Sequence, residues 1–420
     1  MTCRLEPRAV GGRGRPVRPR LPTGALLGLL TIGTFAVGAD SFVLAGMLSP
    51  IASDLSVSVA AAGQLTTAFA VTYAVAAPAL AVLLGNGDRR FVLAAGGALF
   101  ALGAALQASS TSMPFMLVAQ VLAGAGAALY VSNATATAGA LVPEARRGRA
   151  LAMVYGGFTV ATLAGGPLGL VAAQAVGWRG VLGVVAAFGV AAALGTLALP
   201  AVHLPKATMA RRVGVLGRRA VLVTLLVTML AQAAVMGAQV YLPTILTPAA
   251  GPLLPVLLAA TGGGIVVGTW ASGRLVDRTG PDPIRYAAFA GLTLVLGAAI
   301  PVVLGHVGWL FVVMPVFGLF AGMVLVPQQH RLVAAAPDSP AVALGWGSSA
   351  IYLGAAVGSV AGGAVLAGAG PVWLGPLAAG LVVLALLATR LEPRTPRDPA
   401  FVGRTPPFPD NRPRTARSSR

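Results

Sequence analysis

From Gly24 to Leu48 the chain is apolar apart from a single acid, Asp40, in the stretch FAVGADSFVLAG, and runs of this length recur as far as residue 390. The apolar runs predict twelve helices, at about 24–48, 61–84, 91–110, 114–138, 148–174, 178–200, 218–242, 252–273, 284–304, 307–330, 341–366 and 371–390. Each has roughly the 20 residues that cross ~30 Å of hydrocarbon. The pattern therefore predicts an all-α membrane protein.

Composition agrees with the pattern. Of the 420 residues 57% are hydrophobic and only 10% charged, with a mean hydropathy of +0.85. A soluble domain carries about 25% charged residues.

A net charge of +18 would suit nucleic acid, but its distribution points elsewhere. Arginines crowd the N-terminal tail, the connections after the second, fourth, sixth, eighth and tenth predicted spans, and the C-terminal tail. Of the 29 basic residues only Arg179 falls in a connection of the opposite parity. That is the positive-inside pattern. It predicts a multi-pass protein of the plasma membrane with both termini cytoplasmic and no nucleic-acid partner. The tails, 1–23 and 392–420, are rich in Arg, Pro and Gly and read as disordered. Cys3 has no partner for an intramolecular disulfide, and His203, His306 and His330 show no metal-ligand spacing. No nucleophile–base arrangement stands out. We expect no enzyme, metal or cofactor.

The chain also repeats. Placed in register, Asp277 of GTWASGRLVDRTG falls on Gly85, and Gly358 of the eleventh span falls on Gly166 of the fifth, both at an offset of 192. One offset joining two separated pairs argues for two six-helix halves, 24–200 and 218–391, joined by a cytoplasmic linker at 201–217. An even number of crossings per half makes the repeats parallel, with an axis along the membrane normal.

These residues resemble the major facilitator superfamily, and within it the twelve-helix drug:proton antiporter branch of multidrug, chloramphenicol-type and sugar or nucleoside exporters. The sharpest likeness is GRLVDRTG, a loop motif of the form G-x-L-x-D-R-x-G. The resemblance implies that Gly273, Arg274, Asp277, Arg278 and Gly280 build a charge network holding helix ends on the cytoplasmic side. In the first half Gly85 and Asn86 replace the motif's acid and arginine, so Asp277 is expected to matter more than Asp88. The fifth span carries GGFTVATLAGGPLG, similar to the branch's antiporter motif with Gly157, Gly165, Gly166, Pro167 and Gly169. Gly157, Ala161, Gly165 and Gly169 recur at i+4 and form a stripe without side chains for close helix approach. Pro167 removes a backbone bond and favours a bend. Gln120 stands where the branch often has an arginine implicated in proton transfer, and it cannot carry charge.

Asp40 is the one acid in any predicted span. Placing it at mid-helix costs about 2.5–3.5 kcal/mol on insertion scales. Two roles fit: a hydrogen-bonded contact with Gln or Asn of a neighbouring span, or a proton- and substrate-coupling group facing a water-accessible central cavity. The family's pathway spans add Gln120, Tyr130, Asn133, Gln232, Gln239, Tyr241, Gln328 and Gln329 as cavity candidates. No Arg or Lys lies at mid-depth to clamp an anion. The expectation is a monomeric secondary transporter in the bilayer, exporting a neutral or cationic drug-like or small metabolite solute by alternating access, with the proton as coupling ion. A sugar or nucleoside transporter, or a transport-inactive receptor or scaffold, stands as the alternative.

Overall fold

The computed structural model describes residues 21–84, 87–143, 146–202, 209–298 and 307–393. Among these there is no strand. The helices are α1 (Thr23–Gly46), α2 (Leu48–Asp54), α3 (Val59–Leu83), α4 (Arg89–Ala108), α5 (Met113–Ala140), α6 (Arg147–Thr196) and α7 (Met209–Leu216). They continue as α8 (Arg219–Ala250), α9 (Leu254–Thr279), α10 (Pro281–Ala298), α11 (Leu310–Met323), α12 (Leu325–Ala335), α13 (Pro340–Gly368) and α14 (Leu374–Ala388).

Among the described residues, ten stretches are long and apolar enough to cross a membrane. One of them, α6, runs 50 residues and leaves helical geometry at Gly177 (φ 67°, ψ 170°), so it carries the fifth and sixth crossings. The 18-residue α10 supplies the ninth, whose expected end lies outside the described residues. The break between the fifth and sixth crossings is made at Gly177. Pro167 sits within the continuous helix, and glycine alone adopts that backbone conformation without strain.

Within the first six crossings α1 packs along α6, α4 along α5 and α6, and α3 along α5. Within the last six, α8 packs on α13 and α14, and α9 on α11. Two seams join these groups: α3 against α13, and the first part of α6 against α9. At the offset of 192, α3 corresponds to α9 and the fifth crossing to α13. The two seams are thus exchanged by the repeat, the relation a two-fold axis along the membrane normal produces.

Small residues allow this closeness. A methyl group at Gly157 would collide with the Thr31 carbonyl of α1, and one at Gly169 would lie 2.8 Å from Val43 Cγ2. At the α6–α9 seam a Cβ on Gly262 would come within 2.7 Å of the Thr162 carbonyl. With lipid as apolar as the protein, such contact substitutes for a hydrophobic driving force.

The linker contains a helix, α7. Glu392, placed by its sequence in the C-terminal tail, is tied into the protein by ion pairs.

Candidate functional site

Asp40 lies in the second half of α1, at 0% exposure. It does not face an open cavity. Phe42, Ala45 and Gly46, at helical spacing on a different face of α1, line a small cavity between α1, α6, α8 and α9. Two residues along a helix turn the side chain by about 200°, which carries Asp40 away from that seam and into the first six crossings. There the Gln107 side chain of α4 faces it. Neither carboxylate oxygen closes a hydrogen bond. Gln120 of α5 donates from Nε2 to Gln107 Oε1 at 3.3 Å, and both glutamines are also fully buried. Three polar side chains from three helices thus meet among Ala36, Ala39, Phe100, Ala104 and Ala123 of the surrounding apolar core.

The other cavity candidates divide. Gln239 lines the seam cavity together with Thr162, Gly166, Pro167, Leu258 and Thr261. Its Oε1 is buried without a partner. The cavity holds about 30 Å³, room for roughly one water molecule. Gln232 is buried on the same face of α8, seven residues earlier, beside Gly354. Gln328 is buried with both amide atoms unpartnered.

Three candidates bond at helix contacts in this state. The Tyr130 hydroxyl donates to the Leu29 carbonyl at 3.3 Å, with its ring over Gly33 of α1. The Tyr241 hydroxyl donates to the Ser359 carbonyl at 2.8 Å. Asn133 accepts from Arg89 at 2.5 Å. Each is held at a helix contact, because a phenol or amide surrounded by apolar helices takes whatever partner the neighbouring backbone or side chain offers. Gln329 is exposed and lines nothing buried.

The antiporter-motif glycines Gly157, Gly165 and Gly169 lie against α1. Gly166 sits between Phe42 and Leu258 at the seam.

The expected charge network of the loop motif is not formed. Asp277 and Arg278 are exposed and make no ion pair among the described residues, and Arg274 stacks on Trp270 at 3.6 Å. The motif runs to the last turn of α9 and points its charges outward. Gly280, at φ 82°, makes the turn into α10.

The network stands a few residues further on. Arg285 of α10 bonds Glu392 at 2.6 Å and Asp282 at 3.1 Å. Arg331 of α12 reaches the same two acids at 2.6 Å each. Arg285 and Glu392 are nearly inaccessible, with side chains 2% and 4% exposed. The signal for these four was their flanking position, which also fits ordinary topology charges. At the matching end of the first six crossings, Asp88 caps α4 by accepting from the Arg90 amide. Gly85 lies outside the described residues.

One further group escaped sequence reasoning. Tyr73 of α3 and Tyr352 of α13 stack with centroids 3.7 Å apart across the second seam, and Phe69 flanks both. Neither helix belongs to the spans searched for cavity residues.

The class of this helical bundle comes from the comparisons with known proteins. Residues 30–345 match the family model for the Major Facilitator Superfamily, and the chain belongs to that family. It is a multi-pass membrane protein with the twelve-helix major facilitator fold, a transporter of small-molecule solutes rather than an enzyme. It is similar to a chloramphenicol resistance protein of Streptomyces lividans, with 33% identity over 87% of this chain and 95% of that one. It is 30% identical to the inner membrane transport protein YdhP of Escherichia coli K12, over 87% of this chain and 96% of the relative. An uncharacterized MFS-type transporter of Bacillus subtilis, YbcL, is 29% identical over 86% and 94%.

Proposed function

We propose that this transporter exports a neutral or cationic, moderately lipophilic solute in exchange for protons, with Asp40 as the coupling group and both termini in the cytoplasm. The observation that carries the reading is the fully buried carboxyl of Asp40, with no ion-pair partner, in the middle of a membrane-crossing helix. A group that expensive to bury has its best explanation in a protonation change. The seam cavity supports the solute class, because its lining is apolar with one amide and two threonines and carries no charge. The resistance named in the Streptomyces relative supports export and makes chloramphenicol the first probe.

Transport would proceed by rocking of the two six-helix groups about the seams. In the state described, the cavity is far smaller than a drug-sized solute, so the α6–α9 and α3–α13 contacts must part in turn to admit one.

The test is accumulation of labelled chloramphenicol, with a panel of neutral, cationic and anionic compounds, in cells with and without the protein. Expression should lower accumulation of neutral or cationic members in energised cells, and an uncoupler should abolish the difference. Unchanged accumulation across the panel, or an effect indifferent to the uncoupler, would contradict the proposal.

A further inference from the structure

We infer that Gln107 and Gln120 form a two-position amide relay that senses the protonation of Asp40 and passes it from α1 through α4 to α5. Gln107 is the direct partner of the carboxyl, and Gln120 fixes which end of the Gln107 amide faces it. Both are positioning residues. The inference rests on the reading of Asp40 as the coupling group and adds to it how the proton is registered.

The unpartnered atoms carry the argument. Gln120 Nε2 donates to Gln107 Oε1, which leaves Gln107 Nε2 as the end available to Asp40. Gln107 Nε2, both Asp40 oxygens and Gln120 Oε1 are all buried and unbonded. With Asp40 ionised, one closed bond, Gln107 Nε2 to the carboxylate, satisfies the facing donor and acceptor. A buried donor left open costs more than the bond itself gains, so closure is strongly favoured.

With Asp40 protonated, its hydroxyl needs an acceptor. Turning both amides by half a rotation presents Gln107 Oε1 to Asp40 and Gln107 Nε2 to Gln120 Oε1, which is unoccupied before the turn. Every bond in the chain then reverses direction, and each amide keeps a partner. A Gln–Gln pair can hold both arrangements because an amide is donor and acceptor at once. An arginine in place of Gln120 could only donate. The proton thereby changes the contacts of three crossings without any second ionisable group.

No other charge is placed to do this. Of the elements packed on α1, the arginines Arg89, Arg90, Arg147, Arg149 and Arg219 sit in first turns of their helices. Arg179 lies just past the Gly177 bend, pairs with Asp54 at 2.6 Å and donates to the Ser110 carbonyl. The phenols on those elements are Tyr73, Tyr130, Tyr155 and Tyr241; Tyr130 and Tyr241 donate to backbone carbonyls as described, and Tyr73 stacks on Tyr352.

Infrared titration of the purified protein in lipid nanodiscs tests this without a solute. The Asp40 carboxyl band is isolated by subtracting the Asp40→Asn spectrum. Gln107→Met and Gln120→Met keep length and remove the amide. Gln107→Met should move the titration midpoint to higher pH by about one unit, the worth of the bond to the charged acceptor less that of the neutral bond lost in the protonated state. Gln120→Met should move it the same way by less. Unshifted midpoints in both variants would overturn the relay. Should a variant fail to fold, the wild-type band decides. A carboxyl donating to an amide oxygen absorbs at lower frequency than a free buried one, and a band at the free position would overturn the inference. If no titrating band disappears in Asp40→Asn, the coupling role of Asp40 itself fails, a separate outcome.

Discussion

At the scale of the residue, the polar side chains inside the bundle divide by what they touch. Tyr241 spends its hydroxyl on the Ser359 carbonyl, whereas Gln239 keeps a bare oxygen at the seam cavity. Tyr241→Phe should therefore cost about 0.5–1.5 kcal/mol of stability, the net worth of one hydrogen bond, and leave the solute profile unchanged. Gln239→Leu should change relative transport of polar and apolar solutes with little loss of stability. Thermal unfolding in detergent and competition assays read the two; a profile altered by Tyr241→Phe alone would reverse the assignment. The chain itself made Asp40 legible, because one acid in an apolar run is conspicuous. Its facing was not legible. No apolar–polar periodicity distinguishes the faces of a helix buried nearly all round, so Phe42, Ala45 and Gly46 could not be told from Asp40 as cavity lining. Gln107, on a crossing not expected to line the pathway, carried no signal of its own.

At the scale of the element, glycine has two separate duties in GRLVDRTG. A Cβ on Gly273 meets nothing within 4 Å, while Gly280 turns the chain at φ 82° between α9 and α10. Gly280→Ala should lose about 1–3 kcal/mol through backbone strain, and Gly273→Ala should be near neutral. Equal unfolding temperatures for the two would contradict the turn assignment. The same logic explains where reading the motif went astray. Its spacing was correct as a helix end and turn, but side-chain direction depends on the tertiary neighbours of α9. Those neighbours leave Asp277 in the open, while Arg285, on the next helix, turns inward and is met by the half-exposed Asp282. The fold was readable for the opposite reason. Apolar run length is a local property, and in lipid the backbone has little choice but helix.

At the scale of the whole molecule, the ion network Asp282–Arg285–Arg331–Glu392 ties the ends of α10, α12 and the chain after α14 together. Glu392→Gln leaves Asp282 as the one acid of the network beside Arg285 and Arg331, and should cost a part of the roughly 3–5 kcal/mol that breaking a buried pair outright does. Asp277→Asn removes an exposed charge and should change stability by less than about 0.5 kcal/mol. A larger loss of unfolding temperature in Asp277→Asn than in Glu392→Gln would restore the loop motif as the latch. The basic ends of the crossings fix the expected orientation. A reporter fused after Arg420 and active only outside the cytoplasm should stay silent, and strong activity would place the C-terminus outside.

The account turns on the coupling of solute binding at the seam to protonation of one buried carboxyl. If the two oppose each other, reciprocity requires solute affinity to fall as pH drops. Asp40→Asn keeps size and hydrogen bonding but removes the titration. The decisive measurement is chloramphenicol flux in proteoliposomes, wild type against Asp40→Asn, with and without an imposed pH gradient. The wild type should accumulate solute against its gradient when the pH gradient is present. The variant should retain solute exchange at equal pH and lose accumulation altogether. A variant that still accumulates solute uphill, with the pH dependence of the wild type, would contradict the assignment and leave Asp40 a packing residue.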